Sequence, residues 1–473
     1  MCYVADHITG TQASKSTPGQ GSFDRRNLTR TIFSADSRSD MPIGWQDQAW
    51  SKDLWHSGKV ARRRFLGLGA AAAGAIGAWM LVPAPWHGAF GQARPYKIGS
   101  LQPLTGAGAP AGRMALIGTE LAVRRINASG GINGRPVELI VADYQSRLDT
   151  GQRMAEKLVT EDKIDAHQGG FLSDVCLACM GVWERHQIVN MIGACLDTRI
   201  TTTRCSRYSF RPFDYSPAQA AAFAPTLIKM GKRWHIIYAD YTWGQSTRDA
   251  YANEIKWLGG EVVGTTGVPV GTADMTPFLQ KIGGPFDGLL GIFFGQDGVT
   301  VGTQAYDLGL TKKYRWAGDG GIATRTNLSA LGAKIEGFVG IDRYVPVFEG
   351  TLNTPYHRRW FAEVIELTKK FGPEGILPDR YAQSNYEGMN FLRLGIQKSG
   401  FRGRADTPKL IAALEGMEVH AGDDFPQGDK KLRKEDHQAF TDEFIFDIRG
   451  GRHRILTTVP WQKTEQPPVC SMA

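Results

Sequence analysis

Residues whose types and spacing could do chemistry gather in two stretches. Cys176, Cys179, Cys195 and Cys205 cluster, while Cys2 and Cys470 lie near the two ends of the chain. Cys176 and Cys179 form a CxxC, the spacing of a redox pair or half a zinc site. No second pair follows at zinc spacing, and a thioredoxin-like motif needs its own βαβ context. Four clustered cysteines allow three pairings. Cys195–Cys205 is the expected bridge, since closing that short loop stabilises by about 2–3 kcal/mol in the chain-entropy model. The second stretch is GAGAPAG at residues 106–112, close to a dinucleotide fingerprint. Its third glycine is one residue late, and it stands well past Leu101, where a true fingerprint turns tightly off the strand. An α/β oxidoreductase using this loop and the CxxC is the alternative reading. No G-x-S-x-G, H-E-x-x-H or P-loop occurs, and the 10 His are scattered. No enzyme, metal or cofactor is expected from these patterns.

The elements that must position such residues alternate between strand and helix. Residues 96–101 have strand character, broken by Pro103, Gly106, Gly108 and Pro110. Met114, Ile117, Leu121 and Ile126 then mark one apolar helix face, and Gly130–Gly131 stops it. Residues 148–162 read as a helix, 164–171 as a strand, 174–186 as a helix capped by Ser173, and 188–194 as a strand. A second run has strands near 235–239, 261–268, 286–294 and 314–318, with helices between them. Residues 381–399 and 407–414 are expected helices, and 440–447 with 453–457 a terminal hairpin. Such alternation implies parallel strands covered by helices on both faces. Two similar runs imply two lobes with a cleft between them.

The chain of 473 residues exceeds one average domain. An apolar fraction of 42% and a charged fraction of 22% fit a globular protein. The net charge of +8 is mild, and no basic run interleaves with aromatics beyond the N-terminus. Nucleic-acid binding is therefore not expected. Residues 1–58 are polar and aperiodic, as in a disordered extension. Residues 59–93 follow with Arg62, Arg63, Phe65 and Leu66, then a weakly apolar Gly/Ala-rich core and small residues at 91–93. That is the pattern of a twin-arginine export signal, cleaved or retained as an anchor. A periplasmic location is the expectation.

The segment PLTGAGAPAGRMALIGTELAVRRINASGGINGRPVELIVADY resembles the opening of the extracytoplasmic leucine/isoleucine/valine-binding proteins. Pro103–Gly106, Ile126–Ala128, Gly130–Gly134 and Asp143 stand where that family has its loop, helix end and strand-end acid. AQSNYEGMNFLRLGIQKSG (382–400) and Asp436-His437-Gln438 extend the likeness, which covers roughly residues 95–460. The resemblance implies an α/β fold of two doubly wound parallel-sheet lobes joined by a three-crossing hinge. Lobe one would be 94–214 plus 345–430, lobe two 216–342 plus 440–460, and 461–473 a tail. It implies a monomeric binding component of an ABC uptake transporter, holding an amino-acid-like or amide-like solute and docking on a membrane permease. A two-lobed ligand sensor on the same fold is a further alternative.

The resemblance also implies a set of site residues. Ser173 would donate to a ligand carboxylate, with Asp174 beside it. Cys195, Leu196 and Asp197 replace a small-residue loop that ends in Thr in the family, and Asp197 there would repel an anion. Trp243 takes the place of a tyrosine that packs on the ligand, and Phe294 and Gln296 follow the next strand. Asp319, in AGDGG, would accept from a ligand ammonium. Leu104, Thr105 and Gly106 would form a loop near the ligand.

Overall fold

The computed structural model describes residues 94–470 and 472. The N-terminal extension and the export segment expected at 1–93 lie outside these residues. The first sheet is parallel throughout, in the order β2 (Val137–Asp143), β1 (Tyr96–Gln102), β3 (Ala166–Gly169), β4 (Asn190–Ile192), β5 (Ser209–Phe210). Helices α1 (Ala109–Ala128), α2 (Leu148–Thr160) and α3 (Ser173–Arg185) connect its strands. α1 starts with Pro110 in its first turn, where the missing N–H costs nothing. Its buried Met114, Ile117, Leu121 and Ile126 form the stripe seen in the sequence.

The chain then passes through α4 (Ser216–Met230) into a 7-stranded sheet. There β6 (Arg233–Ala239), β7 (Glu261–Val268), β8 (Gly288–Ile292), β9 (Arg315–Asp319) and β10 (Val339–Asp342) pair in parallel. α5 (Thr242–Trp257), α6 (Thr276–Leu279), α7 (Gly295–Asp307), α8 (Leu310–Lys313) and α9 (Arg325–Leu331) accompany them. After β10 the chain returns to the first lobe as α10 (Pro355–Thr368), α11 (Arg380–Ser399) and α12 (Thr407–Leu414). α11 lies against α1, and Gly118 permits the approach: a Cβ there would sit 2.0 Å from the Ala382 carbonyl oxygen. A small antiparallel sheet of β11 (Glu418–Val419), β12 (Lys430–Leu432) and β13 (Ala439–Phe440) follows. The chain then re-enters the second lobe. The hairpin of β14 (Glu443–Arg449) and β15 (Arg452–Val459) adds antiparallel strands beside β10.

Two of the three passages between the sheets meet through buried charge: Asp214 and Arg343 pair at 3.3 Å with almost no exposure. Glu387 of α11 and Lys430 of β12 pair at 2.8 Å, also buried. Buried charge costs several kcal/mol per ion unless it is paired and hydrogen-bonded, so these pairs fix how the segments meet. Among the described residues no helix is long and apolar enough to cross a membrane.

The expected Cys195–Cys205 bridge is corrected. Cys176 pairs with Cys195, and Cys205 pairs with Cys470 across 265 residues of sequence. α3 brings Cys176 to the loop after β4, where Cys195 lies, while the C-terminal tail runs back to Cys205. Cys179 is left as a buried thiol, pushed up to about 12 by burial, with Asp174 adding to the rise. The CxxC is therefore not a pair.

Candidate functional site

Five chain segments end at one place. The turns after β3, β4, β6 and β8 and the start of α11 bring Phe171, Ser173, Ala194, Leu196, Tyr241, Trp243, Phe294, Arg380 and Tyr381 around a cavity. The parallel strands reach it by their carboxyl ends, the edge where α/β sheets bind ligands. α3, α5, α7 and α11 start there, and the first three carry no side-chain cap, so the partial positive charge of three uncapped helix starts faces one region. Gly244 lets α5 start close to its strand, since a Cβ would meet the Ala239 carbonyl oxygen at 1.8 Å.

The walls are largely aromatic. Phe171 of lobe one meets Phe294 of lobe two edge-on, with centroids 5.4 Å apart, and meets Tyr381 at 5.0 Å. Trp243 and Tyr241 each lie 5.9 Å from Phe294. These rings hold the lobes together over the cavity, as does Thr198, whose N–H donates to Ser246 Oγ at 2.9 Å. The empty space among these side chains is about 250 Å³, part of it open to solvent.

The one charged side chain in the lining is Arg380. It is the first residue of α11, whose N-cap Asp379 accepts the N–H groups of Tyr381 and Ala382. Its Nη2 bonds Asp319 Oδ1 at 2.5 Å and its Nη1 bonds Oδ2 at 3.1 Å, while Asp342 Oδ1 lies 3.6 Å from Nη1. Burial alone would lower the Arg380 pKa, but Asp319 and Asp342 outweigh it and hold the guanidinium well above its usual value. Burial pushes the Asp342 carboxyl up to about 7 against the pull of Arg380 and Arg343.

Ser173, Leu196, Trp243 and Phe294 thus line the cavity, and the other expected residues do not. Ser173 is not the N-cap of α3. That place is Leu172, and Ser173 Oγ instead accepts the Asp197 N–H at 3.4 Å. Asp197 does not face the cleft as a free charge. It is fully buried, and Arg199 donates to it from Nε at 3.0 Å and Nη2 at 2.8 Å. Cys195 is taken up in its disulfide. Gln296 is exposed. Leu104 and Thr105 are tied through their N–H groups to Asp143, and Gly106, at φ +80°, packs on Ser146. Asp319 sits at the strand end where it was expected, yet its carboxylate already holds a cation of the chain itself. Asp174 has one buried carboxylate oxygen without a partner, and burial raises its pKa, with the Val175 N–H partly offsetting.

Sequence reasoning did not select Phe171, Ala194, Tyr241, Arg380 or Tyr381. The available signal for Arg380 and Tyr381 was Asp379, a capping residue directly before the long apolar helix.

The family described as Periplasmic binding protein matches residues 95–452. A Leu/Ile/Val-binding protein homolog of Brucella abortus is 26% identical over 343 residues, covering 69% of this chain and 81% of the relative. A periplasmic binding protein from Burkholderia mallei superposes with a TM-score of 0.71 at 21% identity, covering 80% of this chain and 99% of the other. The solute binding protein of an ABC transporter from R. palustris, in complex with benzoate, superposes with a TM-score of 0.69 at 20% identity, covering 77% and 97%. With a two-lobed type I fold and a match across most of its length, the chain belongs to the periplasmic binding protein family, among relatives of the leucine/isoleucine/valine-binding proteins.

Proposed function

We propose that the chain is the periplasmic solute-binding component of an ABC uptake transporter, and that its solute is a small aromatic carboxylate held between the lobes. The observation that carries the solute class is the Arg380–Asp319 pair set among five aromatic rings. A ligand ammonium would have to displace a buried guanidinium from Asp319. A carboxylate instead meets an arginine and the uncapped starts of α3, α5 and α7, all of which favour an anion. The rings favour a flat apolar body, packed edge-on or offset. The benzoate held by the R. palustris protein of the same fold supports this reading. Capture proceeds by hinge closure, and the closed form is delivered by a monomer to a membrane permease. No catalytic step is assigned.

A second reading has its own support. The unpartnered Asp174 oxygen could accept an ammonium, which would suit an amino acid with an aromatic side chain, and the Brucella relative is described as Leu/Ile/Val-binding. A thermal-shift screen over benzoates, phenylacetates, amino acids, amides and ureas separates the two, because a ligand that binds only the folded state raises the melting point. The proposal expects the largest shifts from aromatic acids. Shifts from amino acids alone would move the assignment to Asp174.

A further inference from the structure

Two hydrogen-bond donors in the cavity lining have no acceptor. The indole N–H of Trp243, a residue 3% exposed, and the guanidinium Nε of Arg380, a residue 2% exposed, are both buried and unpaired. They stand on opposite lobes, Trp243 in the first turn of α5 and Arg380 at the start of α11. The two Nη groups of Arg380 are engaged by Asp319, with Nη2 also donating to the Tyr381 hydroxyl at 3.4 Å and Asp342 3.6 Å from Nη1, so its Nε edge is what remains for a solute. Trp243 is held by Tyr241 and Phe294, with centroids 6.0 and 5.9 Å away. Trp316 and Trp360 also carry unpaired indole N–H groups, but neither lines the cavity. Native proteins leave few buried donors unmet, and the Trp243 and Arg380 donors belong to residues that line one cavity.

Resting on the reading that the solute is an aromatic carboxylate, we propose that Trp243 is a specificity-determining donor for a second solute oxygen. The carboxylate sits at the Nε edge of Arg380. The ring lies among Phe171, Tyr381 and Phe294. A hydroxyl, methoxy or carbonyl oxygen elsewhere on the ring accepts from Trp243 Nε1. The chemical class is therefore an oxygen-substituted aromatic acid. Such a solute ties lobe one to lobe two through its own two ends, whereas an unsubstituted acid satisfies only Arg380. An apolar group placed against the indole N–H leaves that donor buried and unmet, which is the source of discrimination.

The test is isothermal titration of the full chain with benzoate, 3- and 4-hydroxybenzoate, and the matching 3- and 4-methylbenzoates. The wild type is expected to bind one hydroxy acid about tenfold or more tighter than its methyl counterpart. In Trp243→Phe that ratio falls to about twofold or less. A wild type that binds benzoate with no preference for either hydroxy acid overturns the Trp243 assignment and leaves the aromatic-acid reading standing. A hydroxy preference that survives in Trp243→Phe does the same. Failure of the wild type to bind any of these acids overturns both. The hydroxy-to-methyl comparison in the wild type needs no variant, so the proposal stays open to refutation even if Trp243→Phe folds poorly.

Discussion

Arg380 opens a helix of lobe one and Asp319 ends a strand of lobe two, and their side chains meet end-on at 2.5 and 3.1 Å with both residues almost wholly buried. The pair therefore forms only when the lobes are together. Removing one partner of such a pair strands the other and costs about 3–5 kcal/mol. Asp319→Ala and Arg380→Ala should each lower stability in urea unfolding. The double variant should lose less than the sum, with a coupling of about 1–3 kcal/mol. Strict additivity would show that the two side chains do not act on one another.

Glu443 gives a pH dependence. It is fully buried in β14 at the re-entry into lobe two, and neither carboxyl oxygen has a donor. Burial pushes its pKa well above the usual value, and Asp214 and Asp342 add to the rise against Arg343. In the unfolded chain it ionises near pH 4.3. Its contribution is thus fully present below that pH and is lost as pH climbs toward the raised folded value. Glu443→Gln removes the titration while keeping the shape. Thermal unfolding between pH 4 and 8 should show the variant gaining on the wild type as pH rises, with no gain at pH 4. An equal offset at every pH would contradict the assignment.

The Cys205–Cys470 bridge closes a loop across 265 residues. Loops of this size are expected to contribute about 2–5 kcal/mol. Cys205→Ser with Cys470→Ser should therefore lower the melting temperature by several degrees and make the C-terminal tail sensitive to protease. An unchanged melting temperature and protease pattern would remove the tail from the folded unit.

Export is testable separately. Arg62→Lys with Arg63→Lys should leave precursor in the cytoplasm, scored by fractionation and immunoblot. Normal export of the double variant would exclude the twin-arginine route.

What the sequence made legible follows from range. The α1 stripe, the strand–helix alternation and the terminal hairpin are local patterns, set by side-chain periodicity and glycine stops. Ser173, Leu196, Trp243 and Phe294 were reachable through the family resemblance, which places its site residues in the loops after strand ends. Arg380 was not reachable, since its partner Asp319 is 61 residues away and on the other lobe. Nothing in the spacing of either residue announces the pair. The disulfides failed for the same reason. A short loop between Cys195 and Cys205 looked cheap to close, but the tertiary fold places Cys176 beside one and Cys470 beside the other. Asp197 looked like a cleft charge because Arg199, two residues on, folds back over it only when the short turn at Thr198–Thr201 forms.

The central claim, that a small aromatic carboxylate binds at Arg380 between the lobes, is tested most directly by isothermal titration of wild type and Arg380→Ala. The ligands are 4-hydroxybenzoate, benzoate, L-leucine and L-phenylalanine. The account predicts saturable one-to-one binding of an aromatic acid to the wild type. It predicts a loss of about 2–5 kcal/mol in Arg380→Ala, or roughly thirty- to several-thousand-fold in affinity, with circular dichroism showing the variant folded. Binding of an aromatic acid to Arg380→Ala within about twofold of wild type, or binding of L-leucine with neither aromatic acid bound, would contradict it.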